Sequence, residues 1–265
     1  MLRGLYTSAM GMTTQMQRMD VVSNNIANVN TVGFKRDAVA AHAFSDRLAY
    51  RINDPAVAGV LRLMGNARAT GWMTQGVFID EHFTDFSTGS IRATNGPLDL
   101  ALTDQGFFAF TVTNFDGTES EKFSREGAFT LGQDGTLLTT TGSRVQGASG
   151  DPINIPVGII TIDDNGRIFS NDEYVDTLRI VNFTNLNALQ KTRGSYWRLR
   201  DDVETEMIDY TGRVEQGFLE ESNVNVVREM VELIALSRAY EANARLVQLH
   251  DETLGRAVNE IARRS

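Results

Sequence analysis

The chain has 265 residues, 42% of them hydrophobic, which is enough apolar material for one large domain or two modest ones and argues against wholesale disorder. Its formal net charge of -9 disfavours binding to nucleic-acid phosphates, and no block of like charges forms a binding tail. There are no cysteines, which excludes disulfides, thiolate zinc sites, iron–sulfur clusters and cysteine nucleophiles.

Residues 1 to about 32 read as a helix. The N-terminus lacks a continuous apolar stretch followed by a small-residue cleavage site, so no cleaved signal peptide is expected. No run of eighteen apolar residues is present, so no membrane insertion is expected either. A heptad seam runs Leu2, Leu5, Ala9, Met12, Met16, Met19, Ser23, Ile26, Asn30, and seven of these nine are apolar. Spacings that alternate between three and four suit a partner helix better than a broad globular face. Three methionines in the seam permit adaptable packing.

The run from Ser23 to Lys35, SNNIANVNTVGFK, is rich in asparagine, which competes for backbone groups inside a helix. It reads as a helix C-terminus, with Gly33 as the left-handed cap and Phe34 anchoring the exit. A second role is compatible with the first: the amides of Asn24, Asn25 and Asn28 bridge packed helices and set their register.

Residues 33–75 show no sustained period and read as a connecting segment. Within it, Ala38 to Leu48 continues as helix until Asn53-Asp54-Pro55 breaks it. Residues 76–204 change texture. Phe107, Phe108, Phe110 and Val112 are followed by Asn114-Phe115-Asp116-Gly117, and further β-rich runs are separated by Gln133-Asp134-Gly135 and Asp163-Asp164-Asn165-Gly166. These are hairpin signals of a mainly antiparallel β domain. Residues 205–221 form a second connecting segment.

A long helix is expected within 222–265. Ser222 or Asn223 caps it, and its seam runs Val226, Met230, Leu233, Ser237, Tyr240, Ala244, Val247, Asp251, Leu254, Val258, Ile261. A second apolar row, Val227, Val231, Ile234 and Leu249, lies beside it. The expected fold is therefore α+β. Paired N- and C-terminal helices (1–32 and 222–265) form a coiled-coil-like domain, and 76–204 forms the central β domain.

Sites for chemistry are not apparent. His42, His82 and His250 are scattered and lack metal-ligand spacing. Aligning Gly166 with a calcium-loop glycine puts Thr161 where a carboxylate is needed, so a turn is the better reading. No phosphate-binding glycine loop or nucleophile elbow occurs, and Asp201-Asp202 and Glu220-Glu221 read as solvated charges. No catalytic residue, metal or cofactor is expected.

Several motifs carry a family likeness. SNNIANVNTVGFK resembles the N-terminal signature of bacterial flagellar axial proteins, the rod and hook subunits. Asn95-Gly96-Pro97-Leu98-Asp99-Leu100-Ala101-Leu102 followed by Gly106-Phe107-Phe108 resembles a central stretch of that family. So does Phe123-Ser124-Arg125-Glu126-Gly127-Ala128-Phe129. Gln216-Gly217-Phe218-Leu219-Glu220-Glu221-Ser222-Asn223-Val224 and Arg238-Ala239-Tyr240-Glu241-Ala242-Asn243 resemble its C-terminal motifs. The likeness is strongest to the distal-rod type, with a proximal-rod paralogue as the alternative.

The resemblance implies a structural subunit that polymerises into a hollow shaft, transmits torque and continues the export channel. It implies partners in further copies of the chain, in other rod and hook proteins and in the flagellar type III export apparatus. The seam residues together with Asn223, Arg238, Glu241 and Asn243 are the expected packing positions. Rival readings are a cell-wall hydrolase, for which no carboxylate or metal constellation is visible, and a secreted binding module built on the β domain.

Overall fold

The computed structural model describes residues 2–43, 47–52, 67–73, 76–113, 117–192, 194–200 and 202–264, with the backbone alone at Leu2, Arg3, 47–52, 67–73 and 260–264. The expected break at Asn53-Asp54-Pro55 and most of the turn at 114–117 lie outside the described residues, as do the seam side chains of Leu2 and Ile261. The fold is α+β, with helix α1 at Leu2–Ala27, helix α2 at Val226–Arg264, and mainly antiparallel strands between them.

The chain divides into two units. One comprises 1–24, 38–83 and 227–265, and the other comprises 25–37 and 84–226. Besides the two helices, the first contains a strand pair, Arg47–Ile52 with Ala67–Met73, in antiparallel register from Arg47 opposite Met73 to Ile52 opposite Ala67. Strand Asp37–Ala43 pairs with Val77–Thr84. The helix expected from Ala38 is therefore corrected to a strand over its described part. Alanine favours helix only by fractions of a kcal/mol, and strand pairing outweighs that preference here.

The second unit is built on a nine-stranded sheet centred on Phe107–Thr113, which pairs with Glu119–Ser124, with Arg144–Val145 and with Ile180–Phe183. Successive side chains of a strand point to opposite faces. Phe108 and Phe110 accordingly enter one apolar cluster with Leu100, Phe129, Ile162 and Ile168. Phe107 and Ala109 enter a second with Phe123, Phe183 and Trp197. The run Phe107-Phe108-Ala109-Phe110 is apolar without alternation because both faces of the strand are covered. A three-stranded sheet, Ile160–Ile162, Arg167–Ser170 and Glu173–Thr177, adds to the first cluster through Ile162 and Ile168.

The hairpin signals resolve into three-residue loops. Gly135, Gly142 and Gly166 each close one, at φ 79°, 86° and 75°. In each the glycine N–H returns to the residue three before it, as from Gly166 to the Asp163 carbonyl at 2.8 Å. Glycine takes this left-handed third position because it has no Cβ. The Asp163 carboxylate is held by Arg167 Nη2 at 2.6 Å, in keeping with a turn.

Between strands Glu119–Ser124 and Phe129–Leu131, burial raises the Glu126 carboxyl above its ordinary value of 4.5, opposed by a hydrogen bond from the Thr140 hydroxyl. Between 4.5 and the raised value the folded chain holds more protons than the unfolded one, so this group's contribution to stability falls as pH rises through that window. Glu126→Gln is expected to stabilise the protein at neutral pH, with the advantage shrinking to nothing as pH falls below 4.5. Urea titrations of both proteins across pH 3.5–7.5 check this.

Candidate assembly site

Within the first unit the two helices touch along one side. Arg18 Nη2 lies 3.5 Å from Glu232 Oε1. The Asn243 amide stands 3.1 Å from where a Cβ of Gly11 would be, and the His250 imidazole occupies the space a Cβ of Gly4 would need. Contacts that ascend on α1 while descending on α2 mean antiparallel helices. Buried or half-buried positions on the side of α1 that meets α2, namely Gly4, Ser8, Gly11, Gln15, Arg18 and Val22, are again spaced by three and four, and Thr14 and Asn25 are buried off this line. On α2 the corresponding line is Glu229, Leu233, Leu236, Tyr240, Asn243, Val247, His250 and Leu254.

This line differs from the most apolar seam. On α2 it keeps Leu233, Tyr240, Val247 and Leu254 but takes Glu229, Leu236, Asn243 and His250 in place of the residues one step later. On α1 the line turns one residue toward the N-terminus. Leu5, Met12, Met19 and Val226 are half-buried at its margins, whereas Met16 and Met230 are 48% and 49% exposed. Arg238 and Glu241 are exposed. The physical reason lies in the small residues. Gly4 and Gly11 on α1 leave notches that admit His250 and Asn243 of α2, and counting apolar residues misses such a face. Among the described residues no helix is long and apolar enough to cross a membrane, and no metal-ligating group of three is found.

The second unit holds a buried ion network. Glu220 is 1% exposed, and its carboxylate accepts from Lys35 Nζ at 2.6 Å, from Arg125 Nε at 2.8 Å and from the Gly89 N–H at 2.9 Å. Lys35 Nζ also donates to the Ser87 carbonyl at 2.7 Å. Arg125 Nη1 reaches the carbonyls of Asp104 at 2.5 Å and Gly106 at 2.8 Å. Burial lowers the Lys35 ammonium below its ordinary value, opposed by the Glu220 charge. Lys35, Arg125 and Glu220 come from three of the motifs singled out in the sequence. The Glu220 expected to be solvated is instead enclosed, because two cations and a backbone N–H converge on it. A charged residue set among apolar ones and glycines, as in Gly33-Phe34-Lys35 and Phe218-Leu219-Glu220, was the available signal.

The asparagines complete this clamp. The Asn25 side chain accepts from the Asp37 N–H at 3.0 Å and donates to the Asp37 carbonyl at 2.9 Å. Asn223 Oδ1 accepts from the Arg36 N–H at 2.8 Å, and its Nδ2 donates to the carbonyls of Asp85 at 2.9 Å and Ser87 at 3.1 Å. Asn223 is thus a bridge between segments and not a helix cap. Helix α2 begins at Val226, three residues later, which puts Asn225 at its threshold. Asn28 Oδ1 accepts from the Thr31 hydroxyl at 3.3 Å, in the turns after α1, while Asn24 is exposed. Helix α1 ends at Ala27, so Gly33 is not its cap. Gly33 has φ 66° because the chain turns there against the Arg125 backbone, 2.5 Å from where a Cβ would stand, and its N–H donates to the Glu220 carbonyl at 2.9 Å. Phe34 is buried, with Lys191 Nζ 3.9 Å from its ring centroid.

Glu220→Gln leaves two buried cations without a counter-charge, and is expected to cost about 3–5 kcal/mol of stability. Lys35→Met leaves Glu220 paired with Arg125 and is expected to cost less. Equilibrium urea denaturation of both variants tests the order. In the helical unit, Gly11→Leu overfills the notch that holds Asn243 and is expected to lower helix content or stability by about 1–3 kcal/mol, read by circular dichroism during thermal unfolding.

Comparison with known proteins covers both units. Residues 5–35 match the family described as Flagella basal body rod protein. Residues 101–170 match Flagellar hook protein FlgE/F/G D1 domain, and residues 215–260 match Flagellar basal body rod FlgEFG protein C-terminal. The chain is 33% identical to the flagellar basal-body rod protein FlgG of Bacillus subtilis, with 98% of this chain and 99% of that protein covered. It is 31% identical to FlgG of Borreliella burgdorferi, with 98% of each covered, and 26% identical to the rod protein FlgF of Caulobacter vibrioides, again with 98% of each covered. With this identity running through helices and β unit alike, the chain belongs to the FlgG-like family of flagellar basal-body rod proteins.

Proposed function

We propose that the chain is a structural subunit of the flagellar basal-body rod, and that it polymerises with copies of itself through its helices. The relatives named above support the first part. The observation that carries the second is a row of exposed apolar side chains on α2. Val227, Val231, Ile234 and Leu249 are 71%, 63%, 54% and 57% exposed. They lie about half a turn from the line that meets α1, so α2 has two faces to cover and its own chain covers one. Full burial of each such side chain favours association by about 1.5–3 kcal/mol, set against the entropy of bringing chains together.

In this reading the helix pair is a coiled-coil-like element. Heterologous contacts between successive subunits build an open helical shaft. The shaft is hollow, carries torque and continues the export channel, and other rod and hook proteins adjoin it. The subunit resides in the basal body and reaches it through the flagellar type III apparatus without signal cleavage. The role is mechanical, with no catalysis and no cofactor. A reading as a secreted binding module gains no support, because the family matches include both helical ends.

The double variant Val231→Glu/Ile234→Glu places charges where wild-type side chains already meet solvent, so the monomer is expected to keep its circular dichroism spectrum. It is expected to lose sedimentable polymer and to fail to restore swimming in a strain lacking the wild-type protein. Polymer and swimming at wild-type levels would sink the proposal.

A further inference from the structure

We propose that the loop 156–159 of one copy docks into a cation-flanked cavity on the β unit of the next copy, as a head-to-tail contact. The proposal rests on the self-assembly inferred above and adds a second interface to it, one that the helices do not provide.

The loop displays its apolar side chains fully. Val157 is 99% exposed and Ile159 is 78% exposed. Single exposed aliphatics are ordinary, but these are held rigidly. Ser170 Oγ donates to the Pro156 carbonyl at 3.1 Å, the Asn171 N–H donates to the Ile159 carbonyl at 3.0 Å, and Asn171 Oδ1 accepts from the Ile159 N–H at 3.0 Å. Gly158 packs so closely on Ser170 and Asn171 that a Cβ would stand 2.5 Å from the Asn171 amide. A loop fixed in this way loses little entropy on docking. The exposed carboxylates of Asp172 and Glu173 come next after Asn171, which holds the loop.

The receptor is a cavity of about 500 Å³ beside the second apolar cluster, lined by Phe123 and Leu199 and flanked by Lys122, Lys191 and Arg198. Lys191 is paired with Asp37 at 2.7 Å, and Glu121 in the wall is paired with Arg179 at 2.9 Å. Among the described residues Arg198 binds only the neutral Gln190 Oε1, at 2.8 and 3.1 Å. This basic cluster stands out because the unit is acidic, with thirteen lysines and arginines against twenty-three aspartates and glutamates. Two such units repel, except where a basic patch meets an acidic one. The loop leads into a strand whose Ile162 lies in the first apolar cluster, whereas Phe123 and Leu199 of the cavity belong to the second. Within its own chain the loop does not occupy the cavity, since Val157 and Ile159 stand in solvent. A contact between two different patches does not close, and it propagates an open assembly.

The absence of native cysteine makes a direct test clean. Ile159→Cys/Gln190→Cys, assembled and then oxidised, is expected to give a ladder of disulfide-linked multimers on a non-reducing gel, while each single variant gives no ladder. Wild-type-like sedimentation with no ladder would overturn this contact and leave self-assembly standing. If neither the wild type nor the double variant sediments, the assembly reading fails and this contact fails with it. Independently, Val157→Asp/Ile159→Asp is expected to raise the concentration needed for assembly at least about tenfold, equivalent to losing a modest part of one interface. An unchanged value would refute the contact.

Discussion

One buried carboxylate organises the β unit. Glu220 lies within hydrogen-bond reach of Lys35 and Arg125, and its own backbone carbonyl receives the Gly33 N–H. A buried ion cluster is rarely worth more than a well-packed apolar one, so it is poor evidence for stability as such. Its value here is geometric. Lys35, Ser87 and Glu220 sit close to the points at which the chain passes from one unit to the other, and the ion network with the Asn25 and Asn223 amides fixes those segments against each other. A set of apolar contacts would hold the same segments together but would tolerate sliding, whereas directional bonds to a single carboxylate permit one alignment.

The helices follow a different logic. On α1 the shared line is poor in large apolar residues, and its Gly4 and Gly11 receive His250 and Asn243 from α2. Close approach and notch filling supply the fit. Val227, Val231, Ile234 and Leu249 of α2 are left on another face, open to solvent. A helix that spent its whole apolar surface on its own chain would have nothing to offer the next one.

Much of this was legible in the residues. Both helices and the antiparallel β region could be read from periodicity and turn chemistry, since those signals are local. The glycine-closed loops at Gly135 and Gly166 behave as their sequences indicate. What was illegible is non-local. The packing line of α1 departs from its apolar seam by one residue, since periodicity reports where apolar groups recur and not which row a partner meets. Strand Asp37–Ala43 is rich in alanine and reads as helix until its pairing with Val77–Thr84 is known. Likewise, nothing local to Lys35, Arg125 or Glu220 reveals that they share one enclosure, although each sits in a motif conspicuous by itself.

The spacing of the clamp along the chain also sets an order of events. Lys35 and Arg125 precede their common carboxylate by 185 and 95 residues. A chain that emerges N-terminus first presents two cations with no counter-charge until residue 220 follows. Enclosing them earlier would strand charge in an apolar setting, so closure of the β unit is favoured only once its last strands are available. The late carboxylate therefore serves as a completion check, with closure reserved for a chain whose far end has arrived.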